Sequence, residues 1–181
     1  MTDFVFGATI RPARPEDLAM VRELVVRSLR DDHGYGYRPD WHADVDDLQG
    51  RYLDPPRARL LVAEQDGTVV GCIAVTPEPP RCPRQIQHRY ADTEHVGQLM
   101  RLVVDPRVRR QGIAAQLVRA ALQAARQAGG YRVLALHTNA RNANSVGFWR
   151  TSGAVEVMDE TLVSPADAEY LAVHFEFALG G

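Results

Sequence analysis

The 181-residue chain is long enough for one domain with a sizeable core, and 45% hydrophobic with 24% charged residues is an ordinary globular composition. A formal net charge of −2, without a basic stripe interleaved with aromatics, argues against nucleic acid as a partner. No apolar run nears the roughly 20 residues that span a bilayer, so no membrane partner is expected.

The opening, MTDFVFGATIRP, lacks the basic and long apolar regions of a secretory signal, so a cytoplasmic setting is expected. Residues 1–8 read as an N-terminal leader to a single domain over 9–181. Residues 9–11 read as a short strand. Pro15 then opens a helix with Glu16 and Asp17 in its first turn, and Leu18, Val21, Leu24, Val25 and Leu29 recur at helical spacing. The stretch 31–42, DDHGYGYRPDWH, is rich in glycine and aromatics and does not read as regular helix. A second short helix is predicted over about 43–53, stopped by Pro55 and Pro56. Residues 59–77 form two β-rich runs around QDGT, a hairpin with an Asp-Gly turn. Four prolines make 77–92 a loop.

Strand character returns over 95–104, followed by a helix over 111–128 whose apolar face carries Ile113, Leu117, Val118, Ala121, Leu122 and Ala125. A strand over 132–138, a short helix over 144–152 and two closing strands over 154–161 and 170–179 complete the chain. Cys72 reads as a buried strand residue and Cys82 as a loop residue, with no disulfide required. The six histidines show no zinc-ligand spacing backed by cysteines, so no metal is expected.

Gly112 stands where a strand hands over to a helix, behind Arg109, Arg110 and Gln111 and ahead of Ile113, Ala114 and Ala115. A helix start offers unpaired N–H groups and partial positive charge, and glycine lets an anion approach the backbone. The chain contains no lysine and no G-x-x-x-x-G-K-[ST], which excludes a Walker loop, and the other glycines of a dinucleotide fingerprint are missing. The stretch alone fits either an anion site or a plain glycine-containing connection with solvated arginines.

The order around it decides between them. A strand, R-x-x-G-x-A over Arg109–Ala114, an amphipathic helix, a strand, then N-x-x-S-x-x-F-W over Asn142–Trp149 and SGA form a distinctive series. With the IRPARPEDLAMVREL opening and the LLVAEQDGTVVGCIAV hairpin, it resembles the GNAT superfamily of acetyl-CoA-dependent N-acetyltransferases over about residues 9–179. The resemblance implies an α/β (α+β) single-domain fold. Its mixed, mostly antiparallel sheet would have six to seven strands, with about four helices and splayed fourth and fifth strands.

It also implies acetyl-CoA as co-substrate. Leu102, Val103 and Val104 would pair their backbone with the pantetheine arm. Arg110, Gln111, Gly112, Ile113, Ala114 and Ala115 would surround the pyrophosphate, with Arg109 beside them as a further coenzyme-binding residue. Asn142 matches an asparagine that contacts the coenzyme, and equally reads as a helix cap. Many members carry a tyrosine where this chain has Phe148-Trp149, so Trp149 is expected to pack and wall the coenzyme site. Gln98 stands where a glutamate base is common, and it can orient a water but not take its proton. Glu94, on the same strand parity, and His95 are then the candidates for a water-mediated base. His33, Tyr35 and Tyr37, with Trp41 and His42, form an aromatic, polar segment that in this family often walls the acceptor pocket.

The expected activity is acetyl transfer to a primary amine of a small molecule by direct attack in a ternary complex. A protein or peptide N-acetyltransferase and a non-catalytic acyl-CoA-binding module are the alternatives. A homodimer is a frequent arrangement in the family.

Overall fold

A computed structural model describes residues 7–32, 34, 36–164, 168 and 170–180. Seven strands form one sheet: β1 (Thr9–Pro12), β2 (Arg59–Gln65), β3 (Thr68–Thr76), β4 (Val96–Val104), β5 (Val133–Asn139), β6 (Val155–Asp159) and β7 (Ala172–Ala178). Their order is β1-β2-β3-β4-β5-β7-β6, and every pairing is antiparallel except β4 with β5. The β2–β3 turn follows its sequence: Asp66 and Gly67 both take positive φ, 50° and 75°, as a tight hairpin of this hand needs.

Helices α1 (Leu18–Asp31), α2 (Pro39–His42) and α3 (Leu48–Tyr52) come before the hairpin, and α4 (Ile113–Ala128) and α5 (Ala143–Thr151) after β4 and β5. The helix predicted over 43–53 is therefore broken. Pro39 starts one turn early, a 3-10 turn covers Ala43–Val45, and Asp47 caps α3 by accepting from the Gly50 N–H. Within the proline-rich loop, Arg84–Tyr90 coil as 3-10 helix.

Each face of the sheet has its own core. Ile113, Leu117, Val118, Ala121 and Ala125 of α4 meet Ile73, Val75, Leu134, Leu136 and Phe175 on one face. Leu122, expected on that stripe, is only partly buried at its edge. On the other face Val21, Leu24, Val25 and Leu29 of α1 join Tyr52, Val62, Cys72 and Ala74. Burying such side chains contributes about 1.5–3 kcal/mol each, and covering both faces holds the sheet firm around the seam where two neighbouring strands part.

Candidate active site

That seam lies between β4 and β5. Their parallel pairing covers only Val96–Gln98 against Val133–Ala135, after which the two strands diverge as β4 runs on to Val104 and β5 to Asn139. A bulge helps open the fork. On β4, Arg101 and Leu102 stand opposite the single residue Ile73, and Arg101 takes φ +55°. A left-handed arginine costs about 1–2 kcal/mol. An ion pair offsets that strain: the Arg101 guanidinium grips both oxygens of Asp44, with Nε at 2.8 Å from Oδ2. The Tyr52 hydroxyl donates to the same carboxylate at 2.6 Å, and the Cys72 thiol caps the Arg101 carbonyl at 3.3 Å. Burial alone would raise the Asp44 pKa, but the Arg101 and Tyr52 hydrogen bonds outweigh it and hold the carboxyl below its usual range.

A cleft of about 1400 Å³ runs through the fork. At one end is the loop before α4. Asp105 receives the Arg107 N–H at 2.9 Å and pairs with Arg27 and Arg107, which hold its carboxyl well below the usual range. Arg110 (φ +65°) and Gly112 (φ +76°) then turn the chain through two left-handed positions into α4. A Cβ at Gly112 would meet nothing within 4 Å, so φ and open space, not crowding, favour glycine here. The first backbone bond back to Gly112 comes from the Gln116 N–H, so the N–H groups of Ile113, Ala114 and Ala115 precede the helical ladder.

The residues expected to hold the coenzyme gather unevenly along this cleft. Leu102, Val103, Val104, Arg109, Arg110, Gly112, Ile113, Ala114, Ala115, Asn142 and Trp149 line it, and Gln111 is exposed outside it. Arg109 is already engaged, donating Nε to the Val104 carbonyl at 3.0 Å and both terminal nitrogens to Asp32 at 2.9 and 2.6 Å. Arg110 makes no hydrogen bond or ion pair among the described residues. Asn142 caps α5, its Oδ1 accepting from the Ser145 N–H at 3.1 Å. Trp149 is buried edge-on between Phe148 and Phe177.

The other candidates scatter. Gln98 is buried on the cleft wall, and its amide donates to the Glu78 and Pro79 carbonyls at 3.0 and 3.2 Å, tying down the loop after β3. Neither Glu94 nor His95 lines the cleft. Glu94 is exposed with its carbonyl held by Arg57, and His95 faces Asp92 at 2.8 Å. Tyr37 packs on the α1 core and donates its hydroxyl to Asp46, also away from the cleft. His33 and Tyr35 lie outside the described residues. Trp41 and His42 do line the cleft, and Trp41 meets Tyr170 edge-on at 5.7 Å across its mouth.

Sequence reasoning passed over two groups that the fold brings to the cleft: Asp44 with Tyr52 and Arg101, and His137 with His174 and Glu160. His137 and His174 are directly opposite on β5 and β7, with ring centroids 5.7 Å apart. His174 Nε2 lies 2.8 Å from Glu160 Oε1, and Glu160 Oε2 accepts the Ala172 N–H at 3.1 Å. His137 is open to the cleft but surrounded by protein on its other sides. That burial, with His174 beside it, pushes its pKa down to about 4. Among the described residues no group of three or more His, Cys, Asp or Glu is placed to hold a metal ion, and no helix is long and apolar enough to cross a membrane.

Comparison with known proteins agrees with this architecture. The family model of the GNAT acetyltransferases matches residues 19–154. N-acetyltransferase 8 of Rattus norvegicus is 33% identical over 114 residues, 62% of this chain and 46% of that protein. N-acetyltransferase family 8 member 2 of Rattus norvegicus is 35% identical over 113 residues, 61% and 44% of the two chains. The chain thus spans less than half the length of these curated relatives. Among solved structures, an acetyltransferase of the GNAT family from Staphylococcus aureus Mu50 superposes with a TM-score of 0.74 at 13% identity, covering 95% of this chain and 99% of that one. yncA from Salmonella typhimurium, solved with its cofactor acetyl-CoA, gives 0.68 at 18% identity over 96% and 95% of the chains. At these identities the superpositions establish the fold alone. The matched family model spans most of the chain, and the protein belongs to the GNAT family of acetyltransferases.

Proposed function

We propose that the domain over residues 9–181 transfers an acetyl group from acetyl-CoA to a primary amine of a small molecule, by direct attack within one ternary complex. The observation that carries this reading is the continuity of the cleft. It joins the left-handed loop at Gly112 to the bared edge of β4, and that edge to the acidic and aromatic wall at Asp44 and Trp41. An extended amide-bearing arm suits an edge with unpaired N–H and C=O groups, and a diphosphate suits the amides at the start of α4.

In this reading the backbone of Leu102, Val103 and Val104 holds the pantetheine arm. The N–H groups from Gly112 to Ala115 hold the pyrophosphate, with Arg110 as its charged partner and Arg109 bracing the loop against Asp32. Asn142 and Trp149 wall the coenzyme. A β4 amide beyond the bulge faces the thioester carbonyl; such a donor is worth about 2.7–4 kcal/mol in other acyl transfers. Freeing an alkylamine from its proton at pH 7 costs about 4–5 kcal/mol, so the cleft must also supply a place for that proton.

Acetyl-CoA incubated with a panel of small primary amines, with free thiol and N-acetyl product both measured, tests the reading. It expects thiol release that depends on the amine and matches product formed. Coenzyme binding without thiol release for any amine would leave a binding module in its place.

A further inference from the structure

We propose that His137 is the group that takes the proton from the attacking amine, with His174 and Glu160 as its positioning partners. The inference rests on the acetyl-transfer reading above. His137 is two residues beyond Ala135, the last β5 residue paired to β4, so it stands in the fork where the strands part. Of the carboxylates lining the cleft, five are occupied: Asp31 by Arg30, Asp32 by Ser28 and Arg109, Asp44 by Arg101 and Tyr52, Glu78 by Arg51, Glu160 by His174 and the Ala172 N–H. Asp31 and Asp40 are exposed at the rim. The His137 imidazole lines the cleft with no hydrogen bond to any described residue.

The surroundings keep the ring an unprotonated acceptor at rest and make its imidazolium short-lived, so a proton it takes is passed on at once. The groups facing His137 are His174 across the β5–β7 ladder, Glu160 behind it and the Arg101 guanidinium from β4. Burial and the two basic neighbours keep the ring neutral, with a free lone pair. The Glu160 carboxylate works the other way and fixes His174 as a donor through Nε2.

An amine whose ammonium proton has left through the cleft to water uses its lone pair to form the C–N bond at the thioester carbonyl carbon, and nitrogen gives its one surplus proton to a ring nitrogen of His137. The C–S bond breaks with its electron pair on sulfur. The imidazolium then returns the proton to sulfur, directly or through water, leaving amide, thiol and a neutral ring.

The experiment compares the parent with His137→Ala and His137→Gln, using an amine that the parent acetylates. Both variants should lose about a hundredfold or more in kcat, the usual scale of general-base assistance, with little change in KM for acetyl-CoA. Both should keep the melting-temperature rise on adding coenzyme A, which shows that they are folded. Added imidazole should restore turnover to His137→Ala and not to His137→Gln, whose side chain fills the space. In the parent, adding the amine to the coenzyme A complex should shift the His137 ring NMR signals. A parent-like kcat in either folded variant, a loss that imidazole does not rescue, or unmoved ring signals would overturn the proposal. A parent that binds coenzyme A yet releases no thiol would instead overturn the acetyl-transfer reading, and this inference with it.

Discussion

Arg101 and Asp44 lie 57 residues apart in sequence, and their paired contact ties the left-handed bend of β4 to the segment after α2. The side chains are only 13% and 11% exposed, so solvent screens the pair less than it would on the open surface. One side of the pair comes from the segment after α2 and the other from the bulge of β4, and both line the cleft. Anything that loosens it is felt at both.

Asp44→Asn should therefore be costly, because it leaves a buried guanidinium facing a neutral amide. Breaking one partner of a buried pair typically costs about 3–5 kcal/mol. Urea unfolding of the variant should show a loss of that order. A loss of only a few tenths would mean that water reaches Arg101 freely and the pair contributes little.

Gln98→Glu separates a clamp from a missing base. The carboxylate would face the Glu78 and Pro79 carbonyls without a proton to donate, removing two hydrogen bonds of about 1 kcal/mol each. The expected outcome is a looser loop after β3, a higher KM for the amine and no gain in kcat. A rise in kcat would show that this position can serve as the base.

His137 gives the protein a pH dependence of stability. Its folded pKa, about 4, is below the ordinary histidine value of 6.5, so between those pH values the unfolded chain binds a proton that the folded one refuses. Stability from this group is complete above about pH 6.5 and is lost as pH falls toward 4. Melting temperature measured across that window should fall less steeply in His137→Gln than in the parent. Parallel curves would mean that the ring is hydrated and ordinary.

Elements carried by a local period were legible in the sequence. The α4 stripe, the Asp-Gly hairpin and the Gly112 turn each follow from residues within one or two turns of one another. What escaped depends on register. The β4 segment reads as one smooth strand, and the Arg101 bulge shows only once Asp44 arrives from another part of the chain. His137 and His174 look like unrelated strand residues until β5 and β7 pair and set them side by side. Glu94 shares the parity of Gln98, as expected, but β4 begins at Val96, which leaves Glu94 beyond the ladder and away from the cleft. The break at Ala43–Val45 has a similar origin, because burying Asp44 against Arg101 and Tyr52 outweighs local helix preference.

The two adjacent arginines before Gln111 should part company on substitution. Arg109 is held by Asp32 and the Val104 carbonyl, and an exposed pair of this kind contributes about 0–1 kcal/mol to stability. Arg110 is the one left for an anion, and a charge-assisted bond of about 1.5–3 kcal/mol corresponds to roughly ten- to hundredfold in affinity. Titration of coenzyme A should show that Arg110→Gln weakens binding on that scale, while Arg109→Gln changes it only slightly. The reverse order would assign Arg109 to the phosphates.

The most direct test of the account is the thermal shift that acetyl-CoA produces in the parent and in Gly112→Glu. With ligand a hundredfold above its dissociation constant, linkage gives the parent about 2.7 kcal/mol of added stability. Glutamate at a left-handed position would put bulk and negative charge where the diphosphate must approach. A clear shift is expected in the parent and none in a Gly112→Glu protein that still melts cooperatively. An equal shift in both would contradict it, because the coenzyme would then bind somewhere other than the start of α4.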